Sequence, residues 1–226
     1  MTVPSGPGVT IFPVGLVVRG QPCLVVGGGR VAARKIGALL AAGAAVTVVA
    51  PEAHEAVRAL AEGGDLEAID DHPLDLQLRP YRAGEAAGYR LVLAATGDPA
   101  VDVEVHRDAE AAGVWVNSAD DPDHCSALLP AVHRDGPVTV TVSTGGASPA
   151  MASWLRDRIA EWLGLGLGEL AALLAEGRET LREQGRSTAQ VDWRALLEGP
   201  LPDLVRAGRI DEARQLLGEA INGPLQ

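Results

Sequence analysis

The sequence predicts an α/β protein: a parallel sheet in its N-terminal half, a β-hairpin segment after it, and a small helical C-terminal part. Three observations carry that prediction. Short apolar, β-branched runs alternate with helix-forming stretches up to residue 116; after Asn117 the rhythm changes to two strands around Arg134-Asp135-Gly136-Pro137; and from Ser148-Pro149 onward the pattern is helical. Strand–helix alternation builds crossovers, so the strands run parallel with both faces covered. A short turn-forming tetrapeptide instead joins antiparallel neighbours.

Taken in order, residues 22–27 (PCLVVG) form a buried strand and 30–42 a helix stopped by Gly43, while 45–50 (AVTVVA) form a second strand ended by Pro51. These three make one βαβ unit of about 30 residues. A helix follows over 52–62, a short edge strand over 65–69, a strong strand over 90–95, a helix over 99–112 closed by Gly113, and a short strand over 114–116. The hairpin strands are expected at 126–133 and 138–143. Ser148 then serves as N-cap with Pro149 at the first helical position. In that helix Met151, Trp154, Leu155, Ile159, Trp162 and Leu163 share one face, and both tryptophans read as core. Further helices are expected over 170–184, 193–197 and 210–221. The expected division is 1–117 for the sheet domain, 118–149 for the hairpin and substrate segment, and 150–226 for the helical domain.

Composition excludes several classes. A formal net charge of −11 argues against a nucleic-acid binder, which needs clustered Lys and Arg. An anionic substrate would then require local arginines to reverse the field. The two cysteines, Cys23 and Cys125, make no disulfide framework and read as reduced cytoplasmic thiols. The N-terminal residues lack the basic-then-apolar build of a signal peptide, and the longest apolar stretch, 36–50, is broken by Gly43 and shorter than the roughly 18 residues a spanning helix needs. The expectation is a cytoplasmic protein without membrane contact. His124-Cys125 has no spaced partner motif, so no resident metal is expected there, and the remaining histidines read as surface or core residues.

Gly27-Gly28-Gly29-Arg30-Val31-Ala32 fits G-x-G-x-x-G/A. The first glycine permits the tight turn, Gly29 lets a pyrophosphate approach the backbone, and Ala32 lets the helix lie close to the strand. The motif follows a strand, opens a helix and is followed by another strand, which is the context of a Rossmann dinucleotide site, and the phosphate would rest on the helix N-terminus at Arg30 and Val31. The end of the second strand holds Val49-Ala50 where NAD-selective folds place an acid. Pro51-Glu52 comes next. Glu52 reads equally as a ribose ligand or as a first-turn helix carboxylate. No arginine nearer than Arg58 is available for a 2′-phosphate, so NAD is favoured over NADP. Thr96 and Gly97 end the third strong strand at the ligand edge, and Asp98 before Pro99 reads as a helix cap.

Together, VVGGGRVAARK, AATGDP, VNSADDPDHC and VSTGGASPA resemble the precorrin-2 dehydrogenase/sirohydrochlorin ferrochelatase family of sirohaem synthases, in order from Phe12 to Arg158. The glycine motif is common to many proteins; the Asn-x-x-Asp-x-Pro segment followed by S-T-G-G-A-S-P is far more specific. The resemblance implies that Asp120, counted from Asn117, is catalytic. Chemistry agrees: oxidation of precorrin-2 to sirohydrochlorin sends a hydride to NAD and sheds a proton that a carboxylate can take. With Asn117, the hydroxyls and backbone N–H groups of Ser143, Thr144, Gly145, Gly146 and Ser148 suit the carboxylates of a tetrapyrrole as well as serving as a capped helix start. Arg134, Arg156 and Arg158 each read equally as a cation for those carboxylates or as a surface ion-pair partner. A homodimer through the hairpin and C-terminal segments is implied as well. Ser118-Ala119 and Ala127-Leu128-Leu129 depart from the family pattern, which bears on chelation more than on dehydrogenation. Two other readings stay open: a bifunctional enzyme that also inserts Fe²⁺, with transient metal contact only, and a non-catalytic NAD-sensing module.

Overall fold

A computed structural model describes residues 8–63, 74–119 and 121–223. The chain divides into two compact units, one spanning 9–129 and the other built from Gly8 together with residue 130 onward.

In the first unit the elements are β1 (Pro22–Val26), α1 (Arg30–Ala41), β2 (Ala45–Ala50), α2 (Glu55–Ala61), β3 (Asp75–Leu78), β4 (Leu91–Ala94), α3 (Pro99–Ala111) and β5 (Trp115–Ser118). The five strands form one parallel sheet in the order β3-β2-β1-β4-β5. Because side chains alternate across a strand, the sheet sorts its apolar residues onto two faces. Cys23, Val25, Val46, Val48 and Leu93 pack with Ile36 and Leu39 of α1 and Val57 of α2. Leu24, Val26, Val49, Val92, Ala94 and Val116 pack with Val105 and Ala109 of α3. Residues buried on both sides explain why these strands read as continuous apolar runs rather than alternating ones. The strand order reverses at β1, between β2 and β4. The carboxyl edge there is the switch point at which such sheets hold ligands.

Three expected boundaries move. α2 begins at Glu55, because the His54 ring accepts the Ala56 amide at 3.1 Å and takes the N-cap position. Glu52 is therefore a loop residue rather than a first-turn carboxylate. The sheet edge is filled by β3, Asp75–Leu78, and the expected strand at 65–69 lies outside the described residues. Residues 126–129 are not strand: the Ser126 and Ala127 amides both turn back onto the Val116 carbonyl at 2.9 Å.

The second unit contains the antiparallel pair β6 (Ala131–Asp135) and β7 (Val138–Val142), then α4 (Pro149–Leu163), α5 (Leu167–Glu183), α6 (Trp193–Glu198), α7 (Leu201–Arg206) and α8 (Ile210–Asn222). Leu170, Leu173, Leu181, Leu201, Val205, Ala213, Leu217 and Ile221 form its core. Gly177 brings α5 and α8 together closely; a Cβ there would stand 2.9 Å from Ile221 Cδ1. The Asp135 carboxylate accepts the Leu167 amide at 2.8 Å and so ties the hairpin to the start of α5. The tryptophans of α4 are not core. Trp154 is 59% and Trp162 83% exposed. α4 lies against the hairpin on one side and fully buries only Ala152; Leu155, Ile159 and Leu163 of its apolar stripe are half-buried, while Met151, Trp154 and Trp162 are exposed. Among the described residues no helix is long and apolar enough to cross a membrane.

Candidate functional site

The glycine turn is built for close backbone approach on one side and for open space on the other. Gly27 sits at φ +121°, a conformation L side chains rarely adopt, and a Cβ there would stand 2.2 Å from the Ala95 carbonyl oxygen. At Gly28 a Cβ would stand 2.1 Å from the Glu52 carbonyl oxygen, and the His54 amide donates to the Gly28 carbonyl at 2.8 Å. These two glycines therefore hold the turn against the ends of β4 and β2. Gly29 differs: no atom lies within 4 Å of its Cβ position. It is the N-cap of α1, provides no side-chain cap, and is followed by a first turn without acids. Free N–H groups, a favourable dipole and open space at one glycine fit a pyrophosphate. Ala32 is fully buried where the helix meets the sheet. Arg30 and Val31 are exposed at the helix start, and Arg30 Nε lies 3.2 Å from His54 Nε2. Pro51 and Glu52 are exposed in the loop that closes over the turn. The residues present fit a dinucleotide.

At the end of β4 the Ala95 amide bonds the Val26 carbonyl at 2.8 Å, bringing Thr96 and Gly97 beside the glycine turn. The Thr96 hydroxyl donates to the buried Asp102 carboxylate at 2.8 Å and accepts the Asp98 amide at 3.0 Å. Its polar capacity goes into shaping the loop. Asp98 caps α3 through the Ala100 amide at 2.9 Å.

Beyond β5 the chain makes a loop and returns. The Ala119 amide bonds the Ala94 carbonyl at 2.8 Å, and the Ser126 hydroxyl accepts the Val116 amide at 2.9 Å. Asn117, only 7% exposed, stands at the base. Its Oδ1 accepts from Lys35 Nζ at 2.7 Å, and its amide nitrogen donates to the Ala127 carbonyl at 2.9 Å and to Cys125 Sγ at 3.5 Å. The Cys125 thiol is turned into the loop, accepting the Ser118 amide at 3.2 Å and donating to the Asp121 carbonyl at 3.2 Å. Burial pushes that thiol up, opposed by the Ser118 hydrogen bond and the nearby Lys35 charge. On the outer side the His124 ring meets the Asp121 carboxylate at 2.7 Å and packs edge-on against His106 of α3, with centroids 4.9 Å apart. The hydrogen bond from His124, then its charge, holds the Asp121 carboxyl below the usual carboxylate range despite some desolvation. Ser118 Oγ and His106 Nδ1 are buried without a hydrogen-bond partner among the described residues. Asp120 lies outside the described residues.

In the second unit the polar groups of the S-T-G-G-A-S-P segment satisfy one another. Ser143 Oγ accepts the Gly145 amide at 3.2 Å, and Thr144 Oγ1 accepts the Ser148 amide at 3.0 Å. Ser148 Oγ caps α4 through the Met151 amide at 3.2 Å. Gly145 and Gly146 both adopt positive φ in the turn between. Arg156 pairs with Asp157 at 2.7 Å and Arg158 with Glu161 at 2.8 Å, and Arg134 is exposed on β6. The structure thus gathers Gly27–Gly29, Glu52, Thr96 and Gly97 around the switch point of the first unit, and Ser143–Ser148 at the start of α4 in the second. The sequence pattern assigns no site role to Lys35, Asp102 or His106, and it weighs Cys125 only as a metal ligand. For Lys35 a signal existed: it is the only lysine in the chain.

A parallel sheet that reverses order at β1, with an open, uncapped glycine turn at the reversal, defines a Rossmann-type dinucleotide-binding protein. A family model described as putative NAD(P)-binding matches residues 14–131, and one described as sirohaem biosynthesis protein central matches 135–161. The chain belongs to the putative NAD(P)-binding family, and its curated relatives are sirohaem synthases. The siroheme synthase of Methylococcus capsulatus is 42% identical over 212 residues, covering 92% of this chain and 43% of that protein. The siroheme synthase of Nitrosococcus oceani is 37% identical over 214 residues, covering 94% and 44%. The chain therefore spans a little under half the length of the curated relatives it matches. Among solved structures, "SirC, precorrin-2 dehydrogenase" superposes with a TM-score of 0.70 at 24% identity, covering 92% of this chain and all of that one. That likeness is one of fold.

Proposed function

We propose that this chain oxidises precorrin-2 to sirohydrochlorin with NAD as hydride acceptor, as a step of sirohaem biosynthesis. The observation that carries the reading is the open, uncapped glycine turn after β1, set two strands along the sheet from the Asn117 loop after β5, in a chain whose relatives are sirohaem synthases. When bound, the nicotinamide supplies the two-electron acceptor. The first-turn amides of α1 and the bare Cα of Gly29 hold the pyrophosphate, and Glu52, free of any helix, takes the ribose hydroxyls from the loop after β2. The absence of an arginine in that loop favours NAD over NADP. Gly97 opens the end of β4, while Thr96, fixed by Asp102, keeps the loop in shape.

Asp120 takes the proton released as the macrocycle loses hydride, and it stands between flanks that are firmly tied. Ala119 continues the sheet by one hydrogen bond, and Asp121 is held by His124. Asn117 supports this loop from below. The S-T-G-G-A-S-P segment, with Arg134 and Arg156, receives substrate carboxylates and offsets the acidic field of the chain. By role the chain divides into 1–117 for cofactor, 118–149 for substrate and pairing, and 150–226 for the helical support. It works in the cytoplasm as a homodimer, which covers the apolar stripe of α4, and it meets Fe²⁺ only as a substrate if it also chelates.

The test is an anaerobic absorbance assay with enzymatically made precorrin-2. The wild type converts it with NAD faster than with NADP. Asp120→Ala loses activity by about a hundredfold or more, with NAD affinity measured by calorimetry unchanged. Full activity in that variant removes Asp120 from the mechanism. No turnover by the wild type despite NAD binding leaves an NAD-sensing module as the reading.

A further inference from the structure

The chain uses arginine for eighteen of its nineteen basic side chains and lysine once, at position 35. Many of the arginines make exposed pairs with an acid three or four residues away, as Arg182 does with Glu179 and Arg194 with Glu198. Such pairs add little and tolerate exchange. Lys35 stands elsewhere. It lies in the second turn of α1, partly buried, and its ammonium reaches 2.7 Å to Asn117 Oδ1, 82 positions along the chain at the carboxyl end of β5. An ammonium is a compact charge with three rotatable donors on a flexible stem. A guanidinium is a wider planar fork on a stem of different reach, so an arginine at this place would not set a donor in the same position against Asn117 Oδ1.

This one bond decides which way the Asn117 amide faces. With its oxygen held by Lys35, its NH₂ group must point at the Ala127 carbonyl and Cys125 Sγ, which lie on the return limb of the loop. Turning the amide over would present two donors to an ammonium and an oxygen to a carbonyl. Removing the ammonium would leave a buried amide oxygen without a donor, which is costly at 7% exposure. The charge also reaches into the loop, since Lys35 is one of the groups that hold down the Cys125 thiol against its burial.

We propose that Lys35 is a positioning residue of the dehydrogenase site: its ammonium fixes Asn117 and, through it, ties both limbs of the 117–127 loop. The proposal rests on the reading of Asp120 as the proton acceptor. It acts through the loop and not through contact with NAD.

The experiment uses the full chain with Lys35→Met and Lys35→Arg. Hydrogen–deuterium exchange followed by mass spectrometry reads the anchor without any turnover. In Lys35→Met, amides of 116–127 exchange faster by about tenfold, while α5 and α8 exchange as in wild type. With precorrin-2, kcat of Lys35→Met falls by about tenfold or more while KM for NAD stays within about twofold. Lys35→Arg keeps the charge and displaces the donor, so its kcat falls less than that of Lys35→Met and its 116–127 amides exchange at a rate between those of wild type and Lys35→Met. Unchanged exchange of 116–127 in Lys35→Met overturns the anchor. A loss confined to KM for NAD moves Lys35 into cofactor binding and overturns the positioning role. A wild type inactive on precorrin-2 refutes the dehydrogenase reading, and the exchange pattern then still decides whether Lys35 anchors the loop. If Lys35→Met does not fold, Lys35→Arg carries both readouts.

Discussion

At the scale of single residues, the three consecutive glycines separate into two tasks. Gly27 and Gly28 are demanded by the fold, since a Cβ at either would press into a carbonyl oxygen. Gly29 has room for a side chain, so the fold does not require it, and the proposed pyrophosphate site does. Gly29→Val is therefore expected to fold with a melting temperature near that of wild type and to weaken NAD binding by about tenfold or more. Gly27→Ala should lower the melting temperature markedly, because it meets both a clash and a forbidden φ. Calorimetric titration beside thermal unfolding checks both, and a Gly29→Val protein that binds NAD normally would remove the pyrophosphate from that position. The glycine motif was legible in the sequence because its spacing is local. The division of labour was not, since it depends on Glu52 and Ala95 arriving from other strands. Lys35 was hidden for the same reason: its partner lies 82 residues away, and no periodicity links them.

At the scale of elements, the loop after β5 is held on its outer side by His124 and Asp121. The Asp121 carboxyl sits below its ordinary range, chiefly through the hydrogen bond from His124. A depressed carboxylate contributes stability that is present above its unfolded value, about pH 3.9, and lost as pH falls through its lower folded value. Comparing the melting temperatures of wild type and Asp121→Asn from pH 6 downward should give a small gap that closes toward acid, small because the pair is solvent-exposed. A gap independent of pH would sever the pair from loop stability. The buried strands of the sheet were readable because β-branched runs bounded by turn residues leave few alternatives. Edges and caps were not. β3 is a polar DLQL edge strand with little apolar signal, and α2 starts late because His54, an uncommon cap, outcompetes Glu52. The start of β6 was misread because Ser126 and Ala127 spend their amides on Val116, a partner set by tertiary geometry. α7 escaped notice because Pro202 near its start reads as a break.

At the scale of the whole molecule, the tryptophans of α4 were legible as a stripe and misplaced as core, because a pattern of apolar positions says that a face is covered and not by what. Two copies of this chain pairing through that stripe would bury it. Replacing both Trp154 and Trp162 by Glu should halve the molar mass measured by light scattering; a mass equal to that of the wild type would exclude α4 from the interface. The strand order has a consequence for how the chain is made. β1 is central, and its second neighbour, β4, begins at Leu91. When a ribosome has released β1, α1 and β2, one flank of the apolar segment Pro22–Val26 still presents bare backbone donors and acceptors. That flank stays open to wrong pairing until some forty further residues have emerged from the exit tunnel, so nascent chains halted between β2 and β4 are the stage at which this protein depends most on a chaperone.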